Sequence, residues 1–124
     1  EERLMKLNHV DLQVTDLPGT RAFFETFFGL QCVYARTELA LLQDEADFEL
    51  ALSNLSQAAA VQYPPDFHIG FVLDDVEQVK EIYARVKAAG YQIKFELQPA
   101  GPSLAFQCWG PEAIPVEVRA PLPR

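Results

Sequence analysis

The sequence predicts an α+β fold: two tandem β-α-β-β-β modules whose mixed four-stranded sheets curve around a cavity. Three observations predict it. The run His9-Val10-Asp11-Leu12-Gln13-Val14-Thr15-Asp16-Leu17 is echoed by His68-Ile69-Gly70-Phe71-Val72-Leu73-Asp74-Asp75-Val76, with an Asp seven residues after each His. An amphipathic helical pattern follows each copy and stops at a glycine. Three β-like runs follow each helix.

The elements follow in order. Asp16 and Asp75 are N-cap residues, because a short side-chain oxygen accepts a free N–H of the first helical turn. The first helix is predicted over Leu17 to Phe28, with Pro18 in its first turn, where the missing N–H costs nothing. Its apolar positions are Leu17, Phe23, Phe24, Phe27 and Phe28. The second is predicted over Val76 to Ala89. Val76, Val79, Ile82, Tyr83 and Val86 make its inner face, and Lys80, Glu81, Arg85 and Lys87 its wet face. Gly29 and Gly90 supply left-handed C-terminal caps. The β-like runs cover Gln31 to Arg36, Glu38 to Gln43 and Asp47 to Ser53, then Gln92 to Leu97, Ser103 to Trp109 and Ile114 to Ala120. Module 1 spans about residues 5–53 and module 2 about 66–120, within a single domain. The linker, 54–65, ends in Tyr63-Pro64-Pro65 and has room for one helical turn.

Composition bounds the function. With 124 residues, 49% hydrophobic and 23% charged, the chain is the size and character of one globular domain with a real core. The net charge of −8 argues against nucleic acid, whose binders need a basic stripe. No apolar run reaches the roughly 18 residues of a membrane helix. Glu1-Glu2-Arg3-Leu4-Met5 has no basic-then-apolar leader pattern, so a cytoplasmic protein is expected. Cys32 and Cys108 lie in apolar runs outside any CxxC pair and read as buried, reduced thiols.

Strand alternation sorts the side chains by face. Asn8, Val10, Leu12 and Val14 face the helix, and His9, Asp11 and Gln13 face away. The same argument turns Glu49, Ala51 and Ser53, then His68, Gly70 and Val72, then Pro115, Glu117 and Arg119, away from the helices. The only two histidines, His9 and His68, thus share the non-helix faces with Glu49 and Glu117, each module offering one of each at an apparently matching place in the repeat. Two imidazoles and two carboxylates suit one borderline divalent ion, Zn, Ni, Co, Mn or Fe. Gln107 and Trp109 share a face with Ser103 and Ala105, and with Gln13 and Arg119 they are the candidates for substrate contact.

These residues carry a resemblance. Asn8-His9-Val10 with Val14-Thr15-Asp16-Leu17, Phe24 to Leu30, Phe48-Glu49-Leu50, Phe67 to Val72 and Val116-Glu117-Val118 resemble the vicinal oxygen chelate superfamily of glyoxalases, bleomycin-resistance proteins, fosfomycin-resistance enzymes and extradiol dioxygenases. The resemblance covers about Leu7 to Ala120. It implies metal ligands in the glyoxalase I order, His9, Glu49, His68 and Glu117, where the fosfomycin and dioxygenase branches lack the first glutamate. It implies that Glu117 or Glu49 acts as general base beside a metal-held carbonyl, and that the partner is a small-molecule substrate or drug. It also implies a homodimer. If that dimer swaps modules, His9 and Glu49 meet His68 and Glu117 of the other copy. Two departures stand out. Gln13 occupies the place of an arginine that holds the glutathione carboxylate in glyoxalase I, and Gly110-Pro111-Glu112-Ala113 replaces the common Asp-Pro-Asp-Gly turn. The implied activity is a metal-dependent glyoxalase-like lyase or isomerase. A metal-free drug-binding protein, a fosfomycin-type thiol transferase and an extradiol dioxygenase are the alternatives.

Overall fold

The computed structural model describes residues 4–124. Glu1, Glu2 and Arg3, part of the leader argument, lie outside the described residues. The chain forms two compact units, 1–61 and 62–124. Unit 1 holds β1 (His9–Gln13), α1 (Leu17–Phe28), β2 (Gln31–Arg36), β3 (Leu39–Gln43) and β4 (Glu49–Ser53). Unit 2 holds β5 (Ile69–Val72), α2 (Val76–Ala88), β6 (Ile93–Ala100), β7 (Ser103–Trp109), a 3-10 turn (Pro111–Ala113) and β8 (Pro115–Pro121). The sheet orders are β1-β4-β3-β2 and β5-β8-β7-β6. In each, the first strand lies parallel to the last and the other neighbours are antiparallel. The α+β repeat of two mixed four-stranded sheets is therefore present. No helix among the described residues is long and apolar enough to cross a membrane.

Local chemistry sets the helix ends. Asp16 Oδ1 accepts from Gly19 N at 3.0 Å and Asp75 Oδ1 from Glu77 N at 2.9 Å. Gly29 (φ 67°) ends α1, while α2 closes on Ala89 one residue before Gly90 (φ 92°). In α1, Leu17, Thr20, Phe23 and Phe24 are buried, and the Phe23 and Phe24 rings meet edge to face at 5.1 Å. Phe27 and Phe28 are only half-buried. Of the apolar face of α2, Val79 and Val86 are buried, and Val76, Ile82 and Tyr83 are half-buried. α1 packs on β3 and β4, and α2 packs on β6, β7 and β8. The Tyr83 ring meets Phe106 of β7 at 5.2 Å, which fixes the Phe106 face as the helix side. Lys87 Nζ donates to the Tyr83 hydroxyl, and this bond holds its ammonium above the usual lysine range.

The element ends depart from expectation where side chains intervene. Residues 54–65 form no helix. Instead Asn54 closes a turn on itself, accepting from Ala58 N and donating to Ala58 O, both at 3.0 Å, a local bond that competes with a helix. Asp44 Oδ1 takes the N–H groups of Ala46 and Phe48 and holds Asp47 at φ 65°, so β4 starts at Glu49 rather than Asp47. β6 runs on to Ala100 through Pro99 because it is an edge strand, where a missing N–H faces no partner. Both cysteines are free thiols. Cys108 is buried, but Cys32, on edge strand β2 beside a bulge, is half-buried.

Candidate functional site

Backbone register places each candidate. In unit 1, His9 is the Cα partner of Glu49 on parallel neighbours, and Glu49 is the partner of Gln43 on β3. One row of the open face is thus His9, Glu49, Gln43. The next is Asp11, Ala51, Leu41, and the third is Gln13, Ser53, Leu39. In unit 2, Gly70 pairs Glu117, which pairs Gln107, which pairs Phe95. His68 lies two residues before Gly70, on the same face. Continuing the register back puts it level with Pro115, whose other partner is Trp109.

The repeat is therefore inexact at the candidate residues. His9 and His68 are equivalent, but the glutamates are not. Pro115 occupies the place of Glu49, and Glu117 that of Ala51. Alternation put both glutamates on one face, and they are on it. It is blind to a slip of two residues, which preserves the face and moves the side chain about 7 Å along the strand.

The histidines share one further feature. His9 Nδ1 is 2.8 Å from Asn8 Oδ1, and His68 Nδ1 is 3.1 Å from the Asp66 carbonyl oxygen. A carbonyl only accepts, so each Nδ1 carries a proton, and in the neutral ring the lone pair then lies on Nε2. Such a bond fixes the ring and its tautomer for a ligand role. Both rings are exposed. Glu49 is half-buried, with no side-chain hydrogen bond among the described residues, whereas Glu117 Oε1 is approached by Gln107 Nε2 at a long 3.5 Å. A Cβ added at Gly70 would sit 3.7 Å from Glu117 Oε2. The missing side chain thus leaves space against that oxygen on the histidine side.

The other candidates divide. Gln13 donates Nε2 to Asn54 Oδ1 at 3.0 Å and to Ser56 Oγ at 2.8 Å, so it pins the segment after β4. Trp109 is half-buried with Lys94 Nζ 4.8 Å over its ring. Arg119 is exposed two residues beyond Glu117. Gln107 is 9% exposed, and its Oε1 is buried with no hydrogen-bond partner among the described residues. Alternation could place that residue but not foresee the orphaned atom. Ala51 and Ser53 are buried although they face away from α1, because β4 is an interior strand and Ser53 Oγ donates to Asp11 Oδ1 at 2.7 Å. No three His, Cys, Asp or Glu side chains stand together as a metal-holding group among the described residues.

Two clefts among the described residues bear on the candidates. That of unit 2, about 160 Å³, is lined by Phe95, Ala105, Gln107 and Glu117 among others. That of unit 1, about 420 Å³, is larger but lies between α1 and β2, where no candidate residue lines it. Its arginines already pair, Arg21 with Glu25 at 3.2 Å and Arg36 with Glu38 at 3.4 Å. The candidate residues thus lie on the open faces and not in the larger cleft.

Comparison with known proteins agrees with the repeat. The family described as Glyoxalase/Bleomycin resistance protein/Dioxygenase superfamily matches residues 6–118. A possible glyoxalase from Bacillus cereus is 33% identical, with a TM-score of 0.81 over 93% of this chain and 98% of its own. The fosfomycin resistance protein FosX of Listeria monocytogenes is 23% identical, with a TM-score of 0.80 over 97% and 96%. Lactoylglutathione lyase from Agrobacterium tumefaciens is 18% identical, with a TM-score of 0.75 over 96% of each chain. At these identities the last two share the fold. No curated protein matches the chain.

Proposed function

The chain belongs to the Glyoxalase/Bleomycin resistance protein/Dioxygenase superfamily, and from that premise we propose that it is a cytoplasmic, divalent-metal-dependent, glyoxalase-like enzyme acting on a small carbonyl or vicinal-oxygen compound. One observation carries the reading: each unit offers a histidine whose Nδ1 is held by a carbonyl oxygen, which turns Nε2 to the ligand role, and a glutamate on the same sheet face. His9 with Glu49, and His68 with Glu117, are half-sites for one ion, drawn from one chain or from two copies of a homodimer. The donor set fits the group, since two neutral imidazoles and two carboxylates suit a borderline divalent ion. The space beside Glu117 left by Gly70 fits it too. FosX of Listeria monocytogenes, in its E126Q form, has been seen with Mn(II) and a dihydroxypropylphosphonic acid.

When bound, the ion would supply Lewis-acid stabilisation of charge developing on a chelated oxygen. The chain supplies the proton transfer. Glu49, without a side-chain hydrogen bond among the described residues, is free to swing and take a proton from the carbon beside that oxygen as general base. Glu117 is steadied by Gln107 and is the second candidate for that role. Gln107, Trp109 and Arg119 line the substrate side, and Gln13 reaches it only by giving up Asn54 or Ser56.

The test is metal content and affinity for Mn²⁺, Ni²⁺ and Zn²⁺ in the wild type and in His68→Ala. Tight binding that falls by about 100-fold or more in the variant is expected. Absence of metal at micromolar Ni²⁺ or Zn²⁺, with tight binding of a cationic drug, would overturn the enzyme reading. It would favour a drug-binding protein, which the charge of −8 suits.

A further inference from the structure

We propose that Gln107 is a specificity-determining acceptor, taking an O–H or N–H donor of a small ligand in the unit 2 cleft and selecting hydroxyl- or amide-bearing compounds over carboxylates and phosphonates there. The inference rests on the reading that the face carrying Glu117 binds substrate, and goes on to name the chemistry it accepts. Three observations support it. Gln107 stands directly across the antiparallel ladder from Glu117, so their side chains are neighbours. A carboxylate only accepts, so the amide must turn Nε2 toward it, which leaves Oε1 as the other end. That Oε1 is buried without a partner in a residue 9% exposed, and a buried acceptor left unpaired is costly.

The surroundings select the donor. The cleft is lined by two carboxylates, Glu96 and Glu117, and by no lysine or arginine. Glu96 is turned to the Tyr83 hydroxyl on the helix side, so an anionic oxygen placed beside Gln107 would face two acceptors, Gln107 Oε1 and the Glu117 carboxylate. Lys94, 5.5 Å over the Phe95 ring, already spends its ammonium on the Pro65 carbonyl oxygen at 2.7 Å. Phe95, directly across the ladder from Gln107, supplies an apolar wall. The β6–β7 register shifts between Phe95 and Gln98, and such a bulge is a usual way to re-aim side chains at a site. At about 160 Å³ the cleft is the size of a cavity that holds one benzene-sized group.

Metal-free protein in EDTA, titrated with benzamide, N,N-dimethylbenzamide and benzoate and followed by ¹H–¹⁵N NMR, tests this without any turnover. Benzamide is expected to shift the Gln107 side-chain amide and the Phe95 and Ala105 backbone signals saturably, with a Kd of about 10 mM or tighter. Dimethylbenzamide and benzoate are expected to bind about 10-fold more weakly. In Gln107→Leu, benzamide and dimethylbenzamide should bind alike. No benzamide shift at these residues, or benzoate binding equal to benzamide, overturns the proposal from wild-type data alone. Because metal is absent throughout, a chain that binds benzamide at Gln107 but never binds metal would retire the metalloenzyme reading and leave this one standing.

Discussion

Unit 1 and unit 2 share a strand order, a helix and a histidine at the head of the first strand, but differ in where the acid stands. In unit 1 Glu49 is level with His9. In unit 2 the level position is Pro115, and Glu117 lies one strand period further along, opposite Gly70. The row that holds Gly70 and Glu117 holds Asp11 and Ala51 in unit 1. The acid has exchanged strands, from the first to the last. A duplicated backbone thus carries two unlike candidate half-sites. One is a level His–Glu pair whose carboxylate makes no side-chain hydrogen bond among the described residues. The other is a diagonal pair with an open place beside it and an amide steadying the acid.

The largest effect tests whether the unlike halves serve one site. His9→Ala and His68→Ala are each expected to lower metal affinity about 100-fold or more. Mixing the two variants then reports where the halves meet. Random exchange between copies of a module-swapped dimer restores about one quarter of the wild-type sites, because half the dimers are mixed and each mixed dimer has one intact site. Halves from one chain restore none. Metal retained in full by His68→Ala but lost by His9→Ala would reduce the comparison to a single site in unit 1. Equilibrium dialysis reads all three outcomes.

A smaller effect is expected from the row where the acid changed strands. Gly70→Val fills the space beside Glu117 Oε2, since even its Cβ would stand 3.7 Å from that oxygen. Metal affinity should fall about 10-fold. Melting temperature should hold or rise, because a β-branched residue suits a strand better than glycine. Asp11→Val, at the equivalent place in unit 1, removes only the bond from Ser53 Oγ. It should change metal affinity by less than about 3-fold, at a stability cost of about 1 kcal/mol. Equal losses of affinity in the two variants would mean that Gly70 is not a reserved space.

The sequence made some of this legible and hid the rest for physical reasons. The repeat, the Asp caps and the glycines bounded both helices because each acts within a turn of its own position. The alternation assigned His9, Glu49, His68 and Glu117 to one kind of face because a period of two is visible in sequence. The offset between Glu49 and Glu117 was invisible, since it depends on which residues pair across β1–β4 and β5–β8. Gln13 looked like a ligand contact by position, yet its amide is spent on Asn54 and Ser56, two residues of the linker that no strand period could align with it. The orphaned Gln107 oxygen is a property of three neighbours at once and has no sequence signature.

The thiols sharpen the comparison next. Burial on an interior strand pushes the Cys108 thiol from 9.0 up to about 11, while Cys32 sits half-buried on an edge. The unfolded chain ionises the Cys108 thiol above about pH 9, and the fold resists doing so until about pH 11. Its contribution to stability is full below 9.0 and is lost as pH rises toward about 11. Urea unfolding at about pH 8 and about pH 10.5 should show an alkaline loss that shrinks in Cys108→Ala and persists in Cys32→Ala. A loss unchanged by Cys108→Ala would place the alkaline sensitivity on the tyrosines and lysines.

The smallest effect lies in the turns that lead into the last strand of each unit. In unit 1 the left-handed residue is Asp47 (φ 65°), a type that tolerates this region, in a loop pinned by Asp44. In unit 2 the turn sets two consecutive residues there, Glu112 (φ 64°) and Ala113 (φ 56°). Alanine has no polar side chain to compensate, so the position carries about 1 kcal/mol of strain. Ala113→Gly removes that strain and gives back part of it as unfolded-chain entropy, for a net gain of about 0.5 kcal/mol. Asp47→Gly, without that strain to relieve, should give none. The gain reads as a higher urea midpoint at constant slope. A lower midpoint in Ala113→Gly would mean that the turn is held by its contacts rather than against its backbone preference. In that case the glycine of the more common Asp-Pro-Asp-Gly turn would have been dispensable here at no cost.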